Sequence, residues 1–121
     1  MKTRRMVRLP TYLHEEIRRL SALNCRTHSA EVVYAVDSVL RSVSMDRLKD
    51  AMAPRAPKIV KAMIPFNEET QELIFDRSQA LGWTQARLIV VAIYIYVTNE
   101  TRKEHRQWQE EPTSRKVLEA V

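Results

Sequence analysis

Apolar positions follow two kinds of spacing along this chain, and each kind occurs in both halves. Over residues 11–24, Leu13, Ile17, Leu20 and Leu23 recur at three- and four-residue steps, which predicts one inward face of an amphipathic helix. A second helix is predicted beyond the turn at 24–27, with Val32, Val36, Val39, Leu40 and Val43 facing inward. The other spacing is strict alternation. In the basic, acid-free segment 2–9, Arg4, Met6 and Arg8 share one face of a strand, and Arg5, Val7 and Leu9 share the other. Segment 58–66 repeats this, with Lys61, Met63 and Pro65 opposing Val60, Ala62, Ile64 and Phe66.

End signals divide these segments. Thr11 is expected to cap the first helix, Asn24 to take the left-handed conformation that stops it, and Thr27 to cap the second. In the second half, Asn67 caps a segment with Glu68 and Glu69 in its first turn, Gly82 supplies the stop, and Thr84 caps the segment after it. Leu9 to Cys25 (25 − 9) and Phe66 to Gly82 (82 − 66) both span 16 residues, so the halves are offset by 57 (66 − 9). The run LIVVAIYIYV at 88–97 has the β-branched and aromatic content of a buried strand. Its place in the repeat matches 30–43 of the first half, and this predicts a helix that is apolar all round.

Pro54 and Pro57 make the stretch around them a connector. The predicted organisation is a first strand-helix-helix unit at 1–51, a linker at 52–57, a second unit at 58–99 sharing one core with the first, and a charged tail at 100–121. The tail is expected to extend the last helix to about Glu110, before Pro112, and to end in the weakly amphipathic SRKVLEAV.

Charge narrows the partner. Twenty Lys+Arg against fifteen Asp+Glu give a formal charge of +5, which favours a polyanion. The single glycine excludes glycine-rich phosphate loops and dinucleotide fingerprints. A lone cysteine, Cys25, leaves no intramolecular disulfide and suits a reducing cytosol. The start MKTRRMVRLP lacks the apolar stretch of an export signal, and the longest apolar run is about half the roughly 20 residues of a membrane span, so a cytoplasmic protein without membrane association is expected. Cys25 and His28 have a metal-site separation, but His14 and His105 do not complete it, and no metal or cofactor is expected. His14, Glu15 and Glu16 point in different directions from one helix with no nucleophile beside them, so the chain is not expected to be an enzyme.

Paired antiparallel, the two strands would form a ribbon narrow enough for the DNA major groove, where arginine bonds guanine bidentately and methionine contacts a thymine methyl. Arg4, Met6, Arg8, Lys61, Met63 and Pro65 are therefore the candidate base readers. A two-stranded ribbon is marginal alone and needs helices behind it, which the predicted order supplies. The starts of the second helices, Thr27-His28-Ser29 and Thr84-Gln85-Ala86, offer free amides and a positive dipole to a DNA phosphate, with Arg26 and Arg87 beside them. The same threonines also serve as ordinary caps, and basic strands also discourage edge-to-edge aggregation.

RMVRLP followed by a helix and NCRTHSAEVV resembles the ribbon-helix-helix superfamily that includes the Arc and Met repressors, as does FNEETQELI with LGWT at its turn. Two copies in one chain look most like the TraY family of relaxosome accessory proteins from conjugative plasmids, over residues 2–99. The resemblance implies a mainly α fold with a two-stranded antiparallel ribbon, built as a tandem, single-chain counterpart of a homodimer. It implies sequence-specific binding of double-stranded DNA at an origin of transfer, with a relaxase or another relaxosome protein as partner and further self-association open. On this pattern Arg4, Met6 and Arg8 read bases in the first strand, Lys61, Met63 and Pro65 in the second, and Thr27, His28 and Ser29 clamp phosphate. Cys25 stands where glycine is usual, Arg5 where an apolar residue is usual, and Pro65 where a polar reader is usual, so specificity is expected chiefly in the first strand. The same fold would serve a transcriptional repressor, and the tail would suit an antitoxin or adaptor that captures a protein.

Overall fold

The alternating segments pair with each other. In the computed structural model, which describes residues 2–52 and 55–110 (107–110 by backbone alone), β1 (Thr3–Pro10) and β2 (Ile59–Phe66) form a two-stranded antiparallel sheet. Thr3 lies opposite Phe66, Met6 opposite Met63 and Pro10 opposite Ile59. The central pair, Met6 and Met63, is separated by the same 57 residues (63 − 6) that offset the two halves.

The rest is helical: α1 (Thr11–Leu23), α2 (His28–Ser42) and α3 (Met45–Asp50) follow β1, and α4 (Glu68–Leu81) and α5 (Gln85–Glu110) follow β2. Three starts are capped as expected. The Thr27 hydroxyl accepts from the Ala30 amide at 3.1 Å, the Asn67 side chain from the Thr70 amide at 2.8 Å, and the Thr84 hydroxyl from the Arg87 amide at 3.2 Å. Thr11 does not cap α1: Pro10 occupies that position, and the Thr11 amide donates across the ribbon end to the Lys58 carbonyl at 3.2 Å.

The left-handed residue between α1 and α2 is Cys25 (φ 54°), not Asn24 (φ −92°), and its counterpart between α4 and α5 is Gly82 (φ 69°). A Cβ is strained in this conformation by on the order of 1 kcal/mol. Cys25→Gly is therefore expected to raise stability by about 1 kcal/mol, and Gly82→Ala to lower it by about as much, both read from urea denaturation midpoints. Open space around a Gly82 Cβ, with no atom within 4 Å, leaves backbone strain as the whole effect there.

Despite its strand-like composition, segment 88–97 is helix, with Leu88, Ile89, Val91, Ala92, Ile93, Ile95, Tyr96 and Val97 all buried. Burial contributes about 1.5–3 kcal/mol for each large apolar side chain, against a helix-propensity cost of at most about 0.7 kcal/mol per residue. Around α5 the core is completed by Val7, Leu9, Ile64 and Phe66 from the inner face of the ribbon, Leu13, Ile17 and Leu20 from α1, and Val32, Val36 and Val39 from α2. α2 packs against α5 and β2, while α5 packs against β1, α1 and α4, so the second helix of each half lies under the strand of the other.

Two further expectations are corrected. Leu23 is 63% exposed, because the last turn of α1 has run past the core and Ala22 and Asn24 beside it are also exposed. Val43, by contrast, packs against the core as expected, as the half-buried C-cap where α2 stops at Ser42. The short α3 lies where no further element is expected; Ser44 caps it by accepting from the Arg47 amide, and it buries Leu48 completely. The last helix extends to Glu110, as expected, and its far end is held to α1 by an Arg19–Glu104 ion pair at 3.0 Å. The SRKVLEAV segment lies outside the described residues. Among the described residues, no single helix is long and apolar enough to cross a membrane.

Candidate nucleic-acid interface

Pairing register and alternation together place all six candidate readers on the outer face of the ribbon. Arg4 lies opposite Pro65, Met6 opposite Met63, and Arg8 opposite Lys61. Met6 is 48% and Met63 56% exposed, and Arg4, Arg8 and Lys61 are exposed around them. None of these three cations is paired with an acid among the described residues. Pro65 alone is half-buried, because it also walls a groove at the start of α2. Eight residues per strand give a ribbon about 25 Å long, with strands about 4.8 Å apart, which is within the roughly 12 Å width of a B-DNA major groove.

The two second-helix starts flank this face. On one side Lys2, Thr27, Ser29, Pro65 and Asn67 line a groove of about 650 Å³. On the other, Met6, Arg8, Ala86, Ile89 and Val90 line a smaller one of about 170 Å³. The threonines at the two caps are exposed, and Ser29 lies in the first groove.

The remaining candidate phosphate side chains make contacts within the fold. Arg26 binds the fully buried Glu31 at 3.0 Å and lies 3.9 Å above the Tyr34 ring. Glu31 also accepts from the Asn24 side-chain amide at 2.9 Å and from the Tyr96 hydroxyl at 2.5 Å, so its carboxylate joins the turn to α5. Burial, and then the hydrogen bond to Glu31, push the Tyr96 hydroxyl well above its usual range. Arg87 stays exposed, stacked 4.2 Å over Trp83 on the first turn of α5. Gln85 turns inward, accepting from Arg5 and, at 3.0 Å, from Gln71. Arg5, on the inner face by alternation, also donates through Nε to Gln71 at 2.9 Å. His28 turns toward α1, its ring centroid 4.7 Å from that of His14, and its Nε2 is buried without a partner among the described residues.

Alternation along the chain gives the outer face of the ribbon correctly, but local spacing does not reveal the engagement of Arg26, Gln85 and His28. A signal existed for two of them: Gln71 and Gln85 occupy the repeat positions of His14 and His28 (71 − 14 and 85 − 28 are both 57).

Burial, and then the charges of His14 and Arg18, hold the His28 imidazole below its usual range. Folding therefore favours its neutral form. This contribution to stability is complete above the unfolded value of 6.5 and is lost as pH falls through the lower folded value. The urea midpoint is expected to drop more between about pH 7 and about pH 5 in the native chain than in His28→Gln.

No protein-family model matches this chain, and no curated protein or solved structure does.

Proposed function

We propose that this protein binds double-stranded DNA sequence-specifically by seating the β1–β2 ribbon in the major groove, as two ribbon-helix-helix units fused in one chain. The observation that carries this reading is the outer face of the ribbon: two methionines exposed opposite each other, framed by Arg4, Arg8 and Lys61 without acidic partners among the described residues. Exposed apolar side chains among unpaired cations match a surface that offers both thymine methyls and phosphate charge. Arg4 and Arg8 are the guanine readers, and the amides at the starts of α2 and α5, with Arg87, hold phosphates on the two flanks.

Tandem origin is supported by the strand-helix-helix order in each half, by the matched caps Thr27 and Thr84, by the matched left-handed Cys25 and Gly82, and by the central Met6–Met63 pair. Register also changes where asymmetry lies. One end of the ribbon carries two cations, Arg8 and Lys61, and the other carries Arg4 opposite Pro65. The two half-sites need not be equal, since fusion removes the symmetry that a homodimer imposes on its operator.

In this reading the protein is a relaxosome accessory factor at an origin of transfer, with a relaxase as partner; a repressor would use the same face. Selection of bound sequences from a random pool, followed by footprinting, tests it. A single non-palindromic site whose affinity falls steeply with salt is expected. A site beside a nick region supports the relaxosome role and one over a promoter the repressor role. Binding that is insensitive to salt and indifferent to sequence would end the proposal.

A further inference from the structure

The two helix starts that flank the ribbon are fastened beneath it by different chemistry. Arg5 reaches from the inner face of β1 to Gln71 on α4 and to Gln85, the first residue of α5, and Gln71 closes the set by donating to Gln85. Guanidinium and carboxamides keep the same protonation across the physiological range, so this fastening does not depend on pH. The repeat offset of 57 puts Ala62 in the place of Arg5 (62 − 5), and His14 and His28 in the places of Gln71 and Gln85. Under that side of the ribbon nothing bonds the strand to the helix start through side chains at these positions: Ala62 has no donor, and the buried Nε2 of His28 has no partner among the described residues.

A proton on His28 would have nowhere favourable to sit. The charges that bear on it are those of His14 and Arg18, both from α1 and both opposed to a second positive charge. Its position as the first residue of α2 adds the positive end of the helix dipole. Glu31, the acid in the first turn of α2, is already committed to Arg26, Asn24 and Tyr96.

We propose that Arg5 and the His14–His28 ring contact position the two phosphate-binding helix starts, the first holding α5 through fixed hydrogen bonds and the second holding α2 only while the buried His28 imidazole is neutral. The inference rests on the DNA-binding reading. Its consequence runs against the usual trend: a basic protein gains positive charge in acid and would ordinarily bind DNA more tightly, whereas this one loses a flank.

The experiment is phosphate-ethylation interference on the selected duplex with the full chain, at about pH 7.5 and about pH 5.5, beside amide hydrogen exchange of the DNA-free protein. On acidification, contacts on the α2 flank should fade and Kd rise by roughly tenfold, the share of a few phosphate contacts, while the α5 flank persists. The double variant H14Q/H28Q, which gives this half the glutamines of the other, should remove the pH effect. Arg5→Ala should weaken the α5 flank at both pH values. In the free protein, exchange at residues 27–30 should accelerate in acid, beyond the intrinsic rate change, relative to residues 84–87. Equal fading of both flanks, tighter binding in acid, or uniform exchange at the two helix starts would overturn the proposal. Unequal exchange in a protein that binds no DNA sequence selectively at either pH would instead overturn the DNA-binding reading and leave the unequal fastening standing.

Discussion

Replacing Arg4 and Arg8 together by alanine is expected to weaken binding to the selected duplex by roughly 100- to 1000-fold while leaving thermal stability unchanged. Each bidentate arginine–guanine contact discriminates by about 1–3 kcal/mol, and each 1.4 kcal/mol is about a factor of ten in affinity. Both side chains are exposed and lie on the face opposite Val7 and Leu9, so their truncation opens no cavity and orphans no buried partner. Fluorescence anisotropy on the selected duplex and on a scrambled one separates base reading from charge. Loss confined to the selected duplex identifies readers, and equal loss on both identifies phosphate contacts. Full retention of affinity and preference would remove the ribbon from the recognition surface.

Glu31→Ala has the largest expected effect on stability, about 3 kcal/mol, lowering the melting temperature by on the order of 10 °C. The carboxylate is fully buried and accepts from three side chains, Asn24 and Arg26 at the turn and Tyr96 on α5. Its removal leaves the buried Tyr96 hydroxyl without an acceptor and the turn without its anchor to α5. The repeat supplies a control, since Leu88 and Val39 occupy the matching positions (88 − 31 and 96 − 39 are both 57) and are simply buried. Glu31→Leu with Tyr96→Phe should therefore recover most of the loss, because buried ion pairs are often replaceable by apolar residues of similar volume. A melting temperature unmoved by Glu31→Ala would show that this network contributes nothing net.

The ribbon was legible because alternation over eight residues has one interpretation once both segments are basic on the outside and, Arg5 apart, apolar on the inside. α5 was legible only through the repeat: residue by residue 88–97 favours a strand, and its helical state comes from being surrounded by α1, α2, α4 and β1. Local end signals were less reliable. Thr11 lost its capping role because its amide bonds Lys58 across the ribbon end, a long-range contact no local pattern encodes. Cys25 took the left-handed position from Asn24, although asparagine tolerates it better, because the sixteen-residue spacing from the strand places the reversal one residue later, as at Gly82. Proximity in sequence to a helix start says nothing of rotamers, which decide whether a side chain there reaches outward. Arg26, His28 and Gln85 each found a partner or a neighbour inside the fold.

Because α2 lies under β2 and α5 under β1, neither half encloses a core unaided. Two separate halves would have to meet before either could recognise anything, and at a few molecules per cell that encounter would limit how often a rare target is occupied. With the connector at 51–58 joining them, the meeting is intramolecular, and on the proposed DNA-binding reading the assembled surface would exist at any dilution. Occupancy of a target would then follow affinity alone, in direct proportion to copy number at low saturation rather than to its square.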